Sequence, residues 1–364
     1  MRAPVASLVI CWASALAFPA RIYSQEARAS IAYPWPPELP RTIEQFASEV
    51  QDYLTSLEKA GFSGVVIVAD RGTIRLHEAY GYADRESRRR MTKETGFDIG
   101  SIVKPMTRAA IVKLDSEGKL RLTDPLSSHF EKVPEEKAAI TIQQVLDHKA
   151  GFPDIFGDDY EAATRDWVVR QVLSAPLLSK PGETFHYSNA GFSLLGAIIE
   201  KVSGRPYERY VYDEILTPAG VERIGYLIPG WKSEDLAVGY LDGKRWGTPL
   251  DKEWMEDGPS WNLRANGGML STVEELFHWY QGILSGKVLS PEATRRYREM
   301  VFRSGTLGQK VIGTAGGNGV FNSLYINLDD VGLVFVLFTN SNEQPAEKVF
   351  EPLRPRIGGL LSAR

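Results

Sequence analysis

The spacing of apolar positions changes along the chain, and each change marks an element. Phe46, Val50, Tyr53, Leu54 and Leu57 recur at helical spacing, which predicts an amphipathic helix stopped near Gly61. Two strand-like runs follow, Gly64 to Ala69 and Thr73 to Tyr80, and the intervening Asp70-Arg71-Gly72 predicts a hairpin. The helical period returns at Ser101, with Val103, Met106, Ala110, Ile111 and Leu114 on one face and Gly118 as the stop. Ile140 to Leu216 reads as largely helical, punctuated at Gly151–Pro153 and Pro181–Gly182. Strand patterns reappear at Phe321 to Leu328 and Leu333 to Thr339, and a last helix starts near Pro345. Strands at both ends around a helical middle predict an α+β fold whose terminal segments share one antiparallel sheet.

The first residues follow a different pattern. Arg2 precedes an apolar stretch, Val5 to Phe18, which is shorter than the roughly 20 residues a spanning helix needs. Residues 1–29 therefore read as a secretory signal and the start of a linker, with cleavage after Ser24 or Ala29, and the protein as exported to a periplasmic or extracellular space. An uncleaved N-terminal anchor is the alternative. Cys11 is the only cysteine and lies inside this stretch. Once it is removed, cysteine catalysis, thiolate zinc sites and disulfides are excluded together. Residues 30–40, with prolines at 34, 36, 37 and 40, read as a stiff linker. Residues 41–364 form the main domain, its helical lobe spanning roughly 120–300.

Composition narrows the function classes. With 43% hydrophobic and 24% charged residues in 364, the chain can build its core without a metal or cross-link. A formal net charge of −4 advertises no nucleic acid and no membrane partner beyond the signal, leaving a small-molecule ester, amide or peptide as the expected partner. Arg85, Arg88, Arg89 and Arg90 read as a solvated loop. The histidines at 77, 129, 148, 186 and 278 show no metal-ligand spacing, and His186 stands out only as the neighbour of Tyr187. Neither G-x-S-x-G nor a nucleotide-binding loop is present, and no cofactor is implied.

Acyl transfer from a serine needs a nucleophile, a base, a route for the leaving-group proton and donors for an oxyanion. Ser101-Ile102-Val103-Lys104 places a hydroxyl and an amine three residues apart, on one face of a helix. Gly100 allows a tight turn before the serine, and Pro105 is tolerated in the first helical turn. Ser56/Lys59 and Ser116/Lys119 match the same spacing, but lack a turn before the serine and an apolar helix after it. Tyr187-Ser188-Asn189 offers a phenol to relay a proton and an amide to bind a carbonyl. Tyr325-Ile326-Asn327 repeats that spacing within an expected strand. Gly313-Thr314-Ala315-Gly316-Gly317 provides small residues for close backbone approach, but taken alone it reads first as a glycine-rich hairpin turn.

The ordered set resembles the serine β-lactamase and penicillin-binding-protein superfamily, especially its class C-like branch with secreted D,D-peptidases and family VIII carboxylesterases. The resemblance extends through Gly81 to Pro105, Leu122 to Leu126, Val145 to Pro153, Pro181 to Gly204 and Phe338 to Ser341, and so covers nearly the whole chain after Phe46. It implies a β-lactamase/transpeptidase-like fold in which Ser101 is the nucleophile and Lys104 its base. Tyr187 would be the proton relay and Asn189 the substrate-orienting amide. Thr314 and Gly316 would contact substrate, and the amides of Ser101 and Gly317 would form the oxyanion hole. One position departs: where the family carries Lys or His to open its third motif, this chain has Thr314. Losing a charge-assisted hydrogen bond of about 1.5–3 kcal/mol disfavours carboxylate-bearing substrates by roughly ten- to a hundredfold relative to neutral esters. Lys310 and Arg303 are the nearby cations that could substitute.

The resulting expectation is a cofactor-free serine hydrolase, first for small carboxylic esters, then for D-amino-acid amides or D-Ala-D-Ala peptides, then for β-lactams. A non-catalytic binding or sensor protein of the same fold is the rival. A free lysine has a pKa of about 10.4, so Lys104 must be brought toward neutrality, a differential cost of roughly 4 kcal/mol. Burial between two lobes, with hydrogen bonds to both Ser101 and Tyr187, is the expected means.

Overall fold

The computed structural model describes residues 33–305 and 309–363. The segment expected to be a secretory signal, with Cys11, lies outside the described residues. Helix α1 (Ile43–Lys59) begins at Thr42, whose hydroxyl accepts the Gln45 amide at 3.2 Å while Gln45 Oε1 accepts the Thr42 amide. This reciprocal cap ties down two of the free donors at the helix start. Strands β1 (Gly64–Asp70) and β2 (Thr73–Tyr80) follow. Helix α2 (Val103–Ser116) carries Lys104 of the Ser-x-x-Lys spacing, and α3 (Asn189–Ser203) starts inside the Tyr-x-Asn motif. Helices α4 (Val273–Leu284) and α5 (Pro291–Val301) lead into β3 (Arg303–Ser304), β4 (Lys310–Gly317), β5 (Asn322–Leu328) and β6 (Leu333–Thr339). Helix α6 (Arg354–Ser362) ends the chain's regular structure.

One antiparallel sheet orders these strands β3-β4-β5-β6-β1-β2, so N- and C-terminal segments share it as the sequence predicts. Strands β1 and β6 are covered on both faces, which is why they read as near-continuous apolar runs. In β1, Val66 and Val68 face α1 and α6, while Val65 and Ile67 face the helical lobe. Phe335 and Phe338 in β6 divide in the same way. The Pro-rich stretch is docked on this body: Tyr33 and Trp35 pack edge-on at 4.7 Å, Tyr33 lies 5.3 Å from Tyr53, and the Arg356 guanidinium donates to the carbonyls of Pro36 and Glu38.

The glycine-rich segment is strand, not turn. Gly313 to Gly317 pair residue by residue with Ile326 to Asn322 along β5, and the hairpin turn comes one step later, at Asn318–Phe321. Glycines persist there because two backbones meet. A Cβ on Gly316 would lie 2.0 Å from the Ile99 carbonyl, and one on Gly100 would lie 2.2 Å from the Gly317 nitrogen. Gly100 also sits at φ +49°, the left-handed region that glycine enters without penalty.

Candidate active site

Ser101 occupies a single 3-10 turn, Gly100–Ile102, that runs into α2. At such a start the first amides have no carbonyl one turn back, so the Ser101 N–H is available to an external acceptor. Lys104 follows within the first turn of α2 and is only 5% exposed. Its Nζ lies 2.9 Å from Ser101 Oγ, 2.5 Å from Asn189 Oδ1 and 2.8 Å from the Asn266 carbonyl. Burial pulls its pKa down to about 7, against the opposing pull of Asp154 and Asp159. A neutral amine can donate to Asn189 and Asn266 and still aim its lone pair at the serine hydroxyl. An ammonium could use the same three oxygens, so desolvation, not hydrogen bonding, favours the neutral form.

The expected bond from Lys104 to the Tyr187 hydroxyl is not formed. Tyr187 leaves the extended segment before α3 and reaches the serine from the other side, its hydroxyl donating to Ser101 Oγ at 2.7 Å. Lys104 Nζ instead lies 4.9 Å from the centre of the Tyr187 ring. Burial holds the Tyr187 pKa well above its ordinary value, so the phenol is a proton-bearing donor at neutral pH. The nearer-neutral Lys104 is the better acceptor of the two.

Asn189 is oriented from behind. Its backbone amide and its Nδ2 both donate to Asp154 Oδ1, at 3.1 and 3.0 Å, which fixes Oδ1 toward Lys104. Ser188 caps α3 by accepting the Gly191 amide at 2.9 Å. His148, not His186, supports the motif: its ring stacks on Tyr187 at 4.6 Å and its Nδ1 accepts the Ser188 amide at 3.1 Å. Burial and the neighbouring Lys104 and Arg108 push its pKa down to about 3, so it is a neutral platform.

Across the site, the β4 backbone abuts the Ser101 turn. A Cβ on Gly316 would come within 2.8 Å of the Ser101 nitrogen, which places Gly316 and Gly317 beside the serine. Thr314 lies one strand step back on the same face, and its hydroxyl is 3.0 Å from that of Tyr280 in α4. Tyr280 in turn stacks at 3.6 Å on Tyr325, the cross-strand partner of Thr314. Neither nearby cation replaces the missing one. Arg303 lies opposite Val311, about 10 Å down the strand from Thr314, and donates to the carbonyls of Met300 and Phe302. Lys310 lies further still, exposed at the start of β4.

Several residues here escaped sequence reasoning. The Asn266 carbonyl carries no side-chain signal. Asp154 flanks a motif without belonging to one. Asp98 is fully buried and its pKa is pushed up to about 7 by desolvation. Among the described residues, no group of His, Cys, Asp and Glu could hold a metal ion.

A Ser–Lys–Tyr cluster at the junction of an antiparallel sheet and a helical lobe defines a serine-hydrolase fold of the β-lactamase type. The chain belongs to the Beta-lactamase family, whose description matches residues 43–355. It is 30% identical over 289 residues to Protein flp of Staphylococcus aureus (strain COL), covering 75% of this chain and 54% of that protein. The chain thus spans about half the length of the curated relatives it matches. Among solved structures, the octameric penicillin-binding protein homologue from Pyrococcus abyssi superposes with a TM-score of 0.73 at 24% identity, over 85% of this chain and 77% of that one. EstCE1, a hydrolase with promiscuous acyltransferase activity, superposes with a TM-score of 0.69 at 22% identity, over 87% of this chain and 99% of that one.

Proposed function

We propose that the protein hydrolyses small carboxylic esters through an acyl-enzyme on Ser101. Lys104 takes the Ser101 proton as Oγ bonds to the ester carbonyl carbon. The amides of Ser101 and Gly317 receive the negative charge that develops on the carbonyl oxygen, and Gly316 lets the substrate come close enough for it. As the tetrahedral adduct collapses, the bond to the leaving oxygen breaks. Tyr187 protonates that oxygen, and the proton held by Lys104 restores the phenol by way of Ser101 Oγ, to which both groups are hydrogen-bonded. Water then attacks the acyl-enzyme, gives its proton to the same basic group, and releases the acid with Ser101 restored. Asn189 orients the acyl side.

The observation that carries the ester reading is the hydroxyl pair Thr314–Tyr280, 3.0 Å apart, where a cation would otherwise receive a substrate carboxylate. A neutral ester forfeits nothing there. D-Ala-D-Ala peptides and β-lactams both carry a carboxylate and would lose the charge-assisted bond.

The test is a rate panel on purified protein, using a short-chain nitrophenyl ester, a D-Ala-D-Ala peptide and a chromogenic cephalosporin, with a fluorophosphonate probe in parallel. The ester should turn over fastest. Ser101→Ala should abolish probe labelling and reduce turnover by roughly ten-thousandfold or more. A faster rate on the peptide or the cephalosporin would overturn the ester reading. An unlabelled wild type that binds these compounds without turnover would make the protein a sensor.

A further inference from the structure

The two amides assigned to the oxyanion hole sit on separate pieces of chain, Ser101 at a helix start and Gly317 at a strand end. Their spacing must be set by something that bridges those pieces. Two bridges flank the pair. On one side, the buried Ser323 hydroxyl reaches the Ile99 carbonyl at 2.9 Å and the Gly316 carbonyl at 3.2 Å. On the other side stands Asp98, 1% exposed.

Asp98 Oδ1 accepts the Gly100 amide at 2.7 Å, immediately before Ser101. Asp98 Oδ2 accepts Asn318 Nδ2 at 3.1 Å, immediately after Gly317, with the Tyr160 hydroxyl a third donor at 3.5 Å. The orientation of Asn318 is not arbitrary. Its Oδ1 accepts the amides of Val320 and Phe321 at 3.1 and 3.0 Å, which leaves only Nδ2 to face Asp98. Asn318 is therefore locked into the β4–β5 turn, and the turn is locked to the carboxylate. No lysine or arginine bonds to this carboxylate in the described residues; the donors around it are an amide N–H, a carboxamide and a phenol. A buried acid held this way is costly unless each lone pair it offers is used.

We infer that Asp98 is a positioning residue that fixes the distance between the Ser101 and Gly317 amides by bridging Gly100 to Asn318. It touches no substrate and acts through the backbone on either side of it. Its effect falls on the step in which charge develops on the carbonyl oxygen, where a displacement of about 1 Å costs on the order of a hundredfold. The inference rests on the oxyanion assignment given above.

The experiment compares wild type, Asp98→Asn, the exchange pair Asp98→Asn with Asn318→Asp, and Ser101→Ala. Ester turnover and the rate of fluorophosphonate inactivation are measured for each. Asp98→Asn turns an acceptor into a donor facing another donor, and should lower kcat by roughly ten- to a hundredfold with KM changed by less than about threefold. Phosphonate inactivation should slow by a similar factor. The exchange pair restores one donor and one acceptor across the same gap, and should recover most of the lost kcat. A merely structural carboxylate would not split kcat from KM in this way. Should Asp98→Asn fail to fold, the exchange pair alone decides: near-wild-type kcat supports the bridge, and a folded but slow enzyme overturns it. Wild-type inactivation rates in Asp98→Asn also overturn it. If instead Ser101→Ala hydrolyses the ester like wild type, the acyl-enzyme reading itself has failed.

Discussion

The two walls of the site differ in what they do. The helical wall, built from the Ser101 turn, α2 and the start of α3, is dense with polar contacts that satisfy one another: the Lys104 amine meets three oxygens, and the Ser101 oxygen meets both the amine and the Tyr187 phenol. The strand wall, β4, offers bare glycine backbone and one threonine whose hydroxyl is paired with Tyr280. On the proposed mechanism proton movement belongs to the helical wall, where Asn189 also holds the acyl side, and the choice between charged and neutral substrates belongs to the strand wall. A change in β4 can redirect substrate choice without touching the proton circuit. That separation explains how a chain can keep the serine–lysine arrangement while departing at Thr314.

If the walls are separable, substitutions on each should leave different kinetic signatures. After loss of the nucleophile itself, the largest effect belongs to Lys104→Arg, which keeps the approximate size but fixes a positive charge that cannot release a proton near neutrality. Turnover of the ester should fall about a thousandfold, because general-base catalysis contributes roughly 10²–10⁴-fold. Tyr187→Phe removes the relay and keeps the ring against His148, and kcat should drop about a hundredfold. Both should impair every substrate alike, and a loss confined to one substrate class would blur the division.

The strand wall predicts the opposite pattern. Thr314→Lys restores a cation where a substrate carboxylate would lie, and should raise the rate on the D-Ala-D-Ala peptide relative to the ester by roughly ten- to a hundredfold. Tyr280→Phe frees the Thr314 hydroxyl without adding charge, so selectivity should shift by less than about threefold. Equal gains on ester and peptide in Thr314→Lys would mean that β4 is not the selective wall.

The sequence makes the helical wall far more legible than the strand wall, for a physical reason. Three residues along a helix fix a distance, so Ser101 and Lys104 are placed by their spacing alone. The turn before Ser101 distinguishes it from Ser56 and Ser116, and the apolar α3 after Tyr187 distinguishes that motif from Tyr325. The sheet is legible for a similar reason: continuous apolar runs such as Val65 to Val68 require cover on both faces. Contacts that cross long stretches of chain leave no such trace. The Tyr280–Thr314 pair, the Asn266 carbonyl and the Asp98–Asn318 bridge arise from tertiary packing, and no local period announces them. The expected bond from Lys104 to Tyr187 has the same origin: the resemblance brings Tyr187 to Ser101, and nothing local in the sequence shows from which side it arrives.

The account turns on Lys104 being an uncharged amine when it meets Ser101. Its pKa is drawn down to about 7, so below that pH the ammonium should accumulate and the base should be lost. NMR titration of protein labelled with 13C at the lysine ε-carbons, with Lys104→Arg to assign the signal, reads this state directly. Titration of the Lys104 signal near pH 7, with kcat/KM on the ester falling below the same pH, is the predicted result. A Lys104 signal that stays ammonium through about pH 9 while the enzyme works at neutral pH would contradict the account, because an ordinary lysine titrates near 10.4.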